Sequence, residues 1–166
     1  MPTSDTSPHS RPLGELMPDG HLVMMVTTAI GDELTARPVT CLETSGARLS
    51  FLVSMGTDWV GDIAASRALV HVSSADDKHG TYLALQGTAS ISRDVDERHR
   101  LWNPIAGAWF DGPDDPDLAV LRFDVDSGEY WDGPGSAAGK IVGLVRAILG
   151  HDEAALGEKG TVEPRS

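Results

Sequence analysis

Apolar and polar residues alternate in short blocks along most of the chain, and Gly, Pro, Asp and Ser separate the blocks. His21 to Ile30 is apolar and rich in Val and Thr, which predicts a buried strand, and Gly31-Asp32 predicts a hairpin turn after it. Glu33 to Glu43 reads as a second strand, in which Pro38 marks an edge or a bulge because proline cannot donate to a ladder. Thr44-Ser45-Gly46-Ala47 turns the chain into a third strand, Arg48 to Ser54. Thr57 or Asp58 caps a short helix over Trp59 to Ser66, with Val60, Ile63 and Ala64 on one face. Ala68 to Ser74 and Thr81 to Ser92 predict two further strands around the polar turn Asp76 to Gly80. Asp94 caps a helix to about Trp102, which Asn103-Pro104 ends. Leu118 to Phe123 and Gly128 to Trp131 read as a last strand or hairpin, and Ser136 to Leu149 as an amphipathic helix stopped by Gly150. Many short strands with tight turns and few helices predict a mainly β protein, a small barrel decorated with short helices. The expected organisation is a flexible N-terminal tail and short helix over 1–18, a barrel domain over 19–135, a C-terminal helix over 136–150 and a flexible tail over 151–166.

Composition narrows the function. A chain of 166 residues is large enough to bury one core unaided. A net charge of −12, with no Lys/Arg cluster to offset it, argues against nucleic-acid binding and against anionic membrane surfaces. The first eleven residues are polar, and no run approaches the roughly 18 apolar residues of a membrane helix, so the cytoplasm is the expected compartment. Cys41 is the only cysteine and falls in a strand pattern, as a buried inert thiol would.

Several motifs fail on inspection. Gly135-Ser136-Ala137-Ala138-Gly139-Lys140 has Pro134 where a phosphate loop needs its first glycine and Ile141 where it needs a hydroxyl. Asp124-Val125-Asp126-Ser127-Gly128 begins like a calcium loop, but Gly128 takes the third ligand position, so it reads as a turn between strands. Asp111, Asp114, Asp115 and Asp117 read as solvated loop carboxylates. The six histidines are scattered without metal-ligand spacing, so no metal site is expected. Three of the four tryptophans fall between Leu101 and Asp132, beside an acidic, proline-punctuated loop, as in the wall of a pocket or an interface.

Two strand segments, Thr35-Ala36-Arg37-Pro38-Val39-Thr40 and Leu49-Ser50-Phe51-Leu52-Val53-Ser54, are followed by Gly87-Thr88-Ala89, Leu101-Trp102-Asn103-Pro104, Ala108-Trp109-Phe110, Asp114-Asp115-Pro116-Asp117-Leu118 and Glu129-Tyr130-Trp131-Asp132. On the first two the chain resembles, from about His21 to Ser136, the pyridoxamine 5′-phosphate oxidase-like FMN-binding split-barrel superfamily. On the later, tryptophan-containing ones it resembles, within that superfamily, the general stress protein 26 family. The resemblance implies a homodimer of six-stranded antiparallel split barrels, with a flavin (FMN or FAD) at each of two sites on the subunit interface, and oxidoreductase-like chemistry. Carried over by position, Arg37, Pro38, Val39 and Thr40 would meet the ring and phosphate, and Val53, Ser54 and Thr57 would line the phosphate end. Gln86, Trp109 and Trp131 would close the site, some of them from the partner subunit.

One departure stands out: where the family usually has a phosphate-pairing lysine, this chain has Asp58-Trp59. Trp59 therefore joins the candidate site residues either as a wall of the pocket or as a plug in it. The alternatives to a flavin enzyme are a non-catalytic dimer that binds flavin or another small ligand, a barrel with another cofactor such as F420 or haem, and an occluded site. A dedicated pyridoxamine-phosphate oxidase is disfavoured, because its substrate phosphate needs a further basic cluster that this chain lacks. No residue announces itself as a catalytic acid or base.

Overall fold

Short apolar blocks cannot cover themselves, so each seeks a neighbour in the ladder. The computed structural model describes residues 9–17, 21–66, 68–78, 80–132 and 158–163. Its strands are β1 (His9–Pro12), β2 (Leu22–Ile30), β3 (Glu33–Ser45), β4 (Arg48–Ser54), β5 (Ala68–Asp76), β6 (Thr81–Ser92), β7 (Leu118–Asp132) and β8 (Glu158–Glu163). Its helices are α1 (Leu13–Leu16), α2 (Asp58–Ala65) and α3 (Val95–Leu101). Strands run side by side in the order β7-β4-β3-β2-β5-β6, and β6 pairs back onto β7, closing a six-stranded antiparallel barrel. This is the expected split-barrel class, with β8 added beside β7 and β1 beside β8.

The hairpins follow local chemistry. Ile30 faces Glu33 across Gly31-Asp32, and Ser45 faces Arg48 across Gly46-Ala47, with both glycines at φ near +60°. Such two-residue loops need a residue that tolerates positive φ. Alternation along the strands sends Met24, Val26, Leu49, Phe51, Val72, Leu85, Leu121 and Phe123 inward into one core. Each such side chain stabilises the fold by roughly 1.5–3 kcal/mol on burial.

Three features differ from the expectations. The last strand is one continuous ladder, and the polar stretch Asp124 to Gly128, read above as a turn, is a bulge within it. Gln86 pairs with Ser127 and Gly87 with Val125, so Asp126 has no opposite number. The tail expected over 151–166 contains β8, whose Gly160 and Val162 are buried while Thr161 is exposed. That strand forms because β4 covers only Leu118 to Asp124 of β7, leaving Glu129 to Asp132 with a free edge. In turn β8 offers its far edge to His9–Pro12, part of which was expected in a flexible tail. The helix expected over Ser136–Leu149 lies outside the described residues. No helix among the described residues is long and apolar enough to cross a membrane.

The start of α3 is fixed as its sequence predicts: Asp94 accepts a hydrogen bond from the Glu97 amide at 2.9 Å. Asp94→Ala is expected to cost about 1 kcal/mol. A fall of roughly 2–4 °C in the thermal midpoint would register it.

Candidate functional site

Pairing between β3 and β4 stops at Cys41 opposite Phe51. Beyond that point β3 continues along β2 alone while β4 follows β7, and the two strands part. Pro38 lies in this stretch with no β4 partner, consistent with the edge position its sequence predicts. The parting opens a cleft of about 440 Å³, within the roughly 300–1,000 Å³ of small-molecule and cofactor sites.

Its walls are Arg37 to Thr40 and Leu42 of β3, Leu52 to Ser54 of β4, Thr57 and Trp59 at the start of α2, and part of the segment 103–110. Nine of the eleven residues expected at the site are therefore together: Arg37, Pro38, Val39, Thr40, Val53, Ser54, Thr57, Trp59 and Trp109. Gln86 and Trp131 are not among its walls. Gln86 is exposed on β6 opposite His71, and Trp131 is outward on β7 opposite Tyr82. Trp102, from the same aromatic block, is also absent from the walls.

Sequence reasoning missed His21, Leu42, Leu52, Asn103, Ile105, Ala106 and Phe110, which also line the cleft. Asn103 shapes that wall: its Oδ1 accepts the amides of Ile105 at 3.0 Å and Ala106 at 3.2 Å, and its Nδ2 donates to the Leu101 carbonyl. The turn so formed holds Trp109 at the rim, 74% exposed. The blocks around Asn103 and Trp109 were visible as motifs, so the signal existed; what they face depends on barrel closure.

Charge in the cleft is sparse. Arg37 donates from Nη1 to the Thr28 hydroxyl at 3.0 Å, and its guanidinium lies 4.4 Å from the centroid of the Trp59 ring. A cation over an indole face is worth about 0.5–2 kcal/mol, more as water is excluded. No carboxylate contacts Arg37 among the described residues, and burial alone lowers its pKa from the usual arginine range. Asp58 is exposed and is not among the walls, so its carboxylate does not line the cleft. Trp59 packs against the core and is one of the walls of the cleft.

The two hydroxyls at the α2 end differ in what they have left to give. Ser54 Oγ accepts the Gly56 amide at 3.1 Å, which leaves its own proton free to donate. Thr57 donates its hydroxyl proton to the Ser54 carbonyl at 2.8 Å and keeps only lone pairs for a ligand. Cys41 lies in the core, where burial pushes its thiol up to about 11, so it supplies no thiolate.

Behind the 103–110 wall, α3 fastens the acidic loop. Arg98 donates to the Asp115 carbonyl and Arg93 to the Pro116 carbonyl. Arg122 forks onto Glu97, and that hydrogen-bonded carboxylate raises the Arg122 pKa. Asp115 accepts the amides of Asp111 and Asp117, which hold its carboxyl below the usual range. Asp114 pairs with His99 at 2.7 Å. Two of the four loop carboxylates are thus engaged within the loop and α3.

The comparisons with known proteins agree with this architecture. Residues 9–154 match the family model described as pyridoxamine 5′-phosphate oxidase like, and the chain belongs to that family. Among solved structures it is similar to a provisionally assigned general stress protein 26 from Jannaschia sp. CCS1, 28% identical, with a TM-score of 0.72 over 89% of this chain and 93% of the other. It is similar to the general stress FMN/FAD binding protein of Xanthomonas citri, 27% identical, with a TM-score of 0.62 over 69% of this chain and 82% of the other. A provisionally assigned general stress family protein of Xanthomonas campestris pv. campestris is 28% identical, with a TM-score of 0.61 over 69% and 81% of the two chains. No curated protein matches by sequence.

Proposed function

We propose that this chain is a flavin-binding, oxidoreductase-like protein that holds FMN in the cleft between β3, β4 and the 103–110 segment, at the interface of a homodimer. The observation that carries the reading is the cleft itself: about 440 Å³, aromatic on two sides, with an arginine that no carboxylate contacts among the described residues. Such a site suits a planar ring joined to a phosphate. The residues fit that group. Arg37 is the cation for the phosphate, and the Ser54 hydroxyl is a donor beside it. Thr57, with lone pairs only, suits a hydroxyl of the ribityl chain. Trp59, Trp109 and Phe110 offer apolar faces that keep water from the ring. FAD shares the same ring and phosphate and is the alternative flavin.

The dimer rests on a separate observation. Outward positions of four adjacent strands carry no Asp, Glu, Lys or Arg: Leu34 to Thr40 on β3, Val23 to Ala29 on β2, Leu69 to Ser73 on β5, and Ala84 to Thr88 on β6. Val23, Leu34 and Leu69 are exposed there at 59%, 78% and 65%. A face of this width without Asp, Glu, Lys or Arg on so acidic a chain, with Val23, Leu34 and Leu69 open on it, suits burial against a second copy. It shares Pro38 and Thr40 with the cleft, so a partner on this face stands beside the ligand. Gln86 lies on the same outward face.

When bound, the flavin supplies hydride or electron transfer, and the protein supplies position and electrostatics. Among the described residues the cleft walls hold no carboxylate, thiol or phenol, which leaves the His21 imidazole as the one side chain there able to move a proton near neutral pH. That same feature favours the second reading, a dimer that stores or carries flavin without turnover. Loading the protein with FMN and following NADH and NADPH oxidation separates the two. A rate well above free FMN is expected for the oxidoreductase; a rate equal to free FMN leaves the binding dimer.

A further inference from the structure

We infer that Trp59 is a positioning residue that makes the cleft select phosphorylated flavin, by holding the Arg37 guanidinium against its indole face with the charge turned to the ligand. The inference rests on the flavin reading above and goes beyond it in assigning a role to the residue at the position where the family usually has a lysine.

A guanidinium on a strand at the edge of a split can swing into solvent, and in a chain of net charge −12 it has many carboxylates to find. Four other arginines here have found them, Arg11 with Asp132, Arg48 with Asp124, Arg100 with Glu43 and Arg122 with Glu97, while Arg93 and Arg98 donate to backbone carbonyls. Arg37 instead is held by two neutral groups, the Thr28 hydroxyl through Nη1 and the Trp59 ring 4.4 Å away. Neither neutralises it. A guanidinium has five N–H donors, and the Thr28 bond uses one. Both Arg37 and Trp59 line the cleft, so the charge is kept at its wall.

Lysine at position 59 would offer a second point charge, but it would also stand beside Arg37 and repel it. A tryptophan there gives up that charge and in exchange fixes the geometry of the one remaining cation. Arginine's planar fork matches two phosphate oxygens at once, which an ammonium does not. One fixed fork is therefore sufficient to tell a phosphate monoester from a neutral hydroxyl at the same place.

The test compares FMN with riboflavin, which has the same ring and lacks the phosphate, by isothermal titration calorimetry on the full chain. Heat rather than tryptophan emission is read, because one variant removes a cleft tryptophan. Wild type is expected to prefer FMN. Arg37→Gln is expected to lose about ten- to a hundredfold in FMN affinity with riboflavin nearly unchanged. Trp59→Leu is expected to lose about three- to tenfold for FMN alone, and Trp59→Phe, which keeps an aromatic face, to restore most of it. Thermal midpoints of all variants establish that each is folded. If Trp59→Leu lowers FMN and riboflavin affinity equally, or changes neither, Trp59 is only a wall and the inference is overturned while the flavin reading stands. If wild type binds neither compound, the flavin reading falls, and this inference falls with it.

Discussion

Met25→Asp is expected to turn the proposed dimer into monomers and to remove most of its flavin affinity while leaving the barrel folded. Met25 points outward from β2, 39% exposed, opposite Pro38 of β3 and Ser73 of β5. It sits in the middle of the uncharged face, one strand from the cleft. In a two-fold interface each substitution is made twice, so two carboxylates are taken out of water without a counter-charge. Unpaired charges so buried cost several kcal/mol, and about 4 kcal/mol would weaken the dimer roughly a thousandfold. The core is spared, because Met24 and Val26 carry the inward face of the same strand. Aspartate in a strand costs at most about 1 kcal/mol of fold stability. Sedimentation equilibrium at micromolar concentration, with FMN titrations on the same samples, reads both effects. A variant that still dimerises as tightly as wild type would show that this face is not the interface.

Gly87→Ala is expected to be among the most destabilising single-methyl changes in the chain. A Cβ on Gly87 would lie 2.0 Å from the Asp124 carbonyl oxygen and 3.1 Å from Cε2 of Phe123. Gly87 stands at the bulge where β6 meets β7, the pairing that closes the barrel. Backbone is the obstacle, so no side-chain rotation relieves it. Overpacking of this kind costs about 3 kcal/mol or more. That corresponds to a fall of roughly 6–12 °C in the thermal midpoint. Gly61→Ala is the internal control, because nothing lies within 4 Å of a Cβ there and the residue is inside α2. It is expected to stabilise by about 0.5–1 kcal/mol. Equal midpoints for the two variants would contradict the close approach at Gly87.

Legibility in the sequence divides along physical lines. Arg48–Ser54 and Thr81–Ser92 were readable to the residue, because polar turns bound each block and apolar residues alternate within it. Glu158–Glu163 was not, since its strand character depends on the edge that Glu129 to Asp132 leaves free more than twenty-five residues earlier. Asp124 to Gly128 looked like a turn for the reason bulges often do: polar residues and a glycine interrupt the alternation. Here the continuous partner β6 carries the strand through. At the site, Arg37 to Thr40, Val53 and Ser54 came from motif resemblance, and the splitting of β3 from β4 explains why they meet. His21 carries no local mark of the cleft, because only closure of the barrel brings its segment there. Gln86 was named with Trp109 and Trp131 as closing the site, some of them from the partner subunit, and alternation fixes only its face: Leu83 and Leu85 point inward, so Gln86 points out. Trp59 was recognised as a departure, but its partner Arg37 is two strands and a turn away, and only the three-dimensional arrangement pairs them.

The central claim is that the parted strands hold one flavin phosphate per chain. Titrating the wild-type protein with FMN while following tryptophan emission tests it most directly, because Trp59 and Trp109 both line the cleft. The account predicts saturable quenching in the micromolar range, ending at one FMN for each chain of the dimer. Linear, unsaturable quenching, equal to that of free tryptophan mixed with FMN, would contradict it.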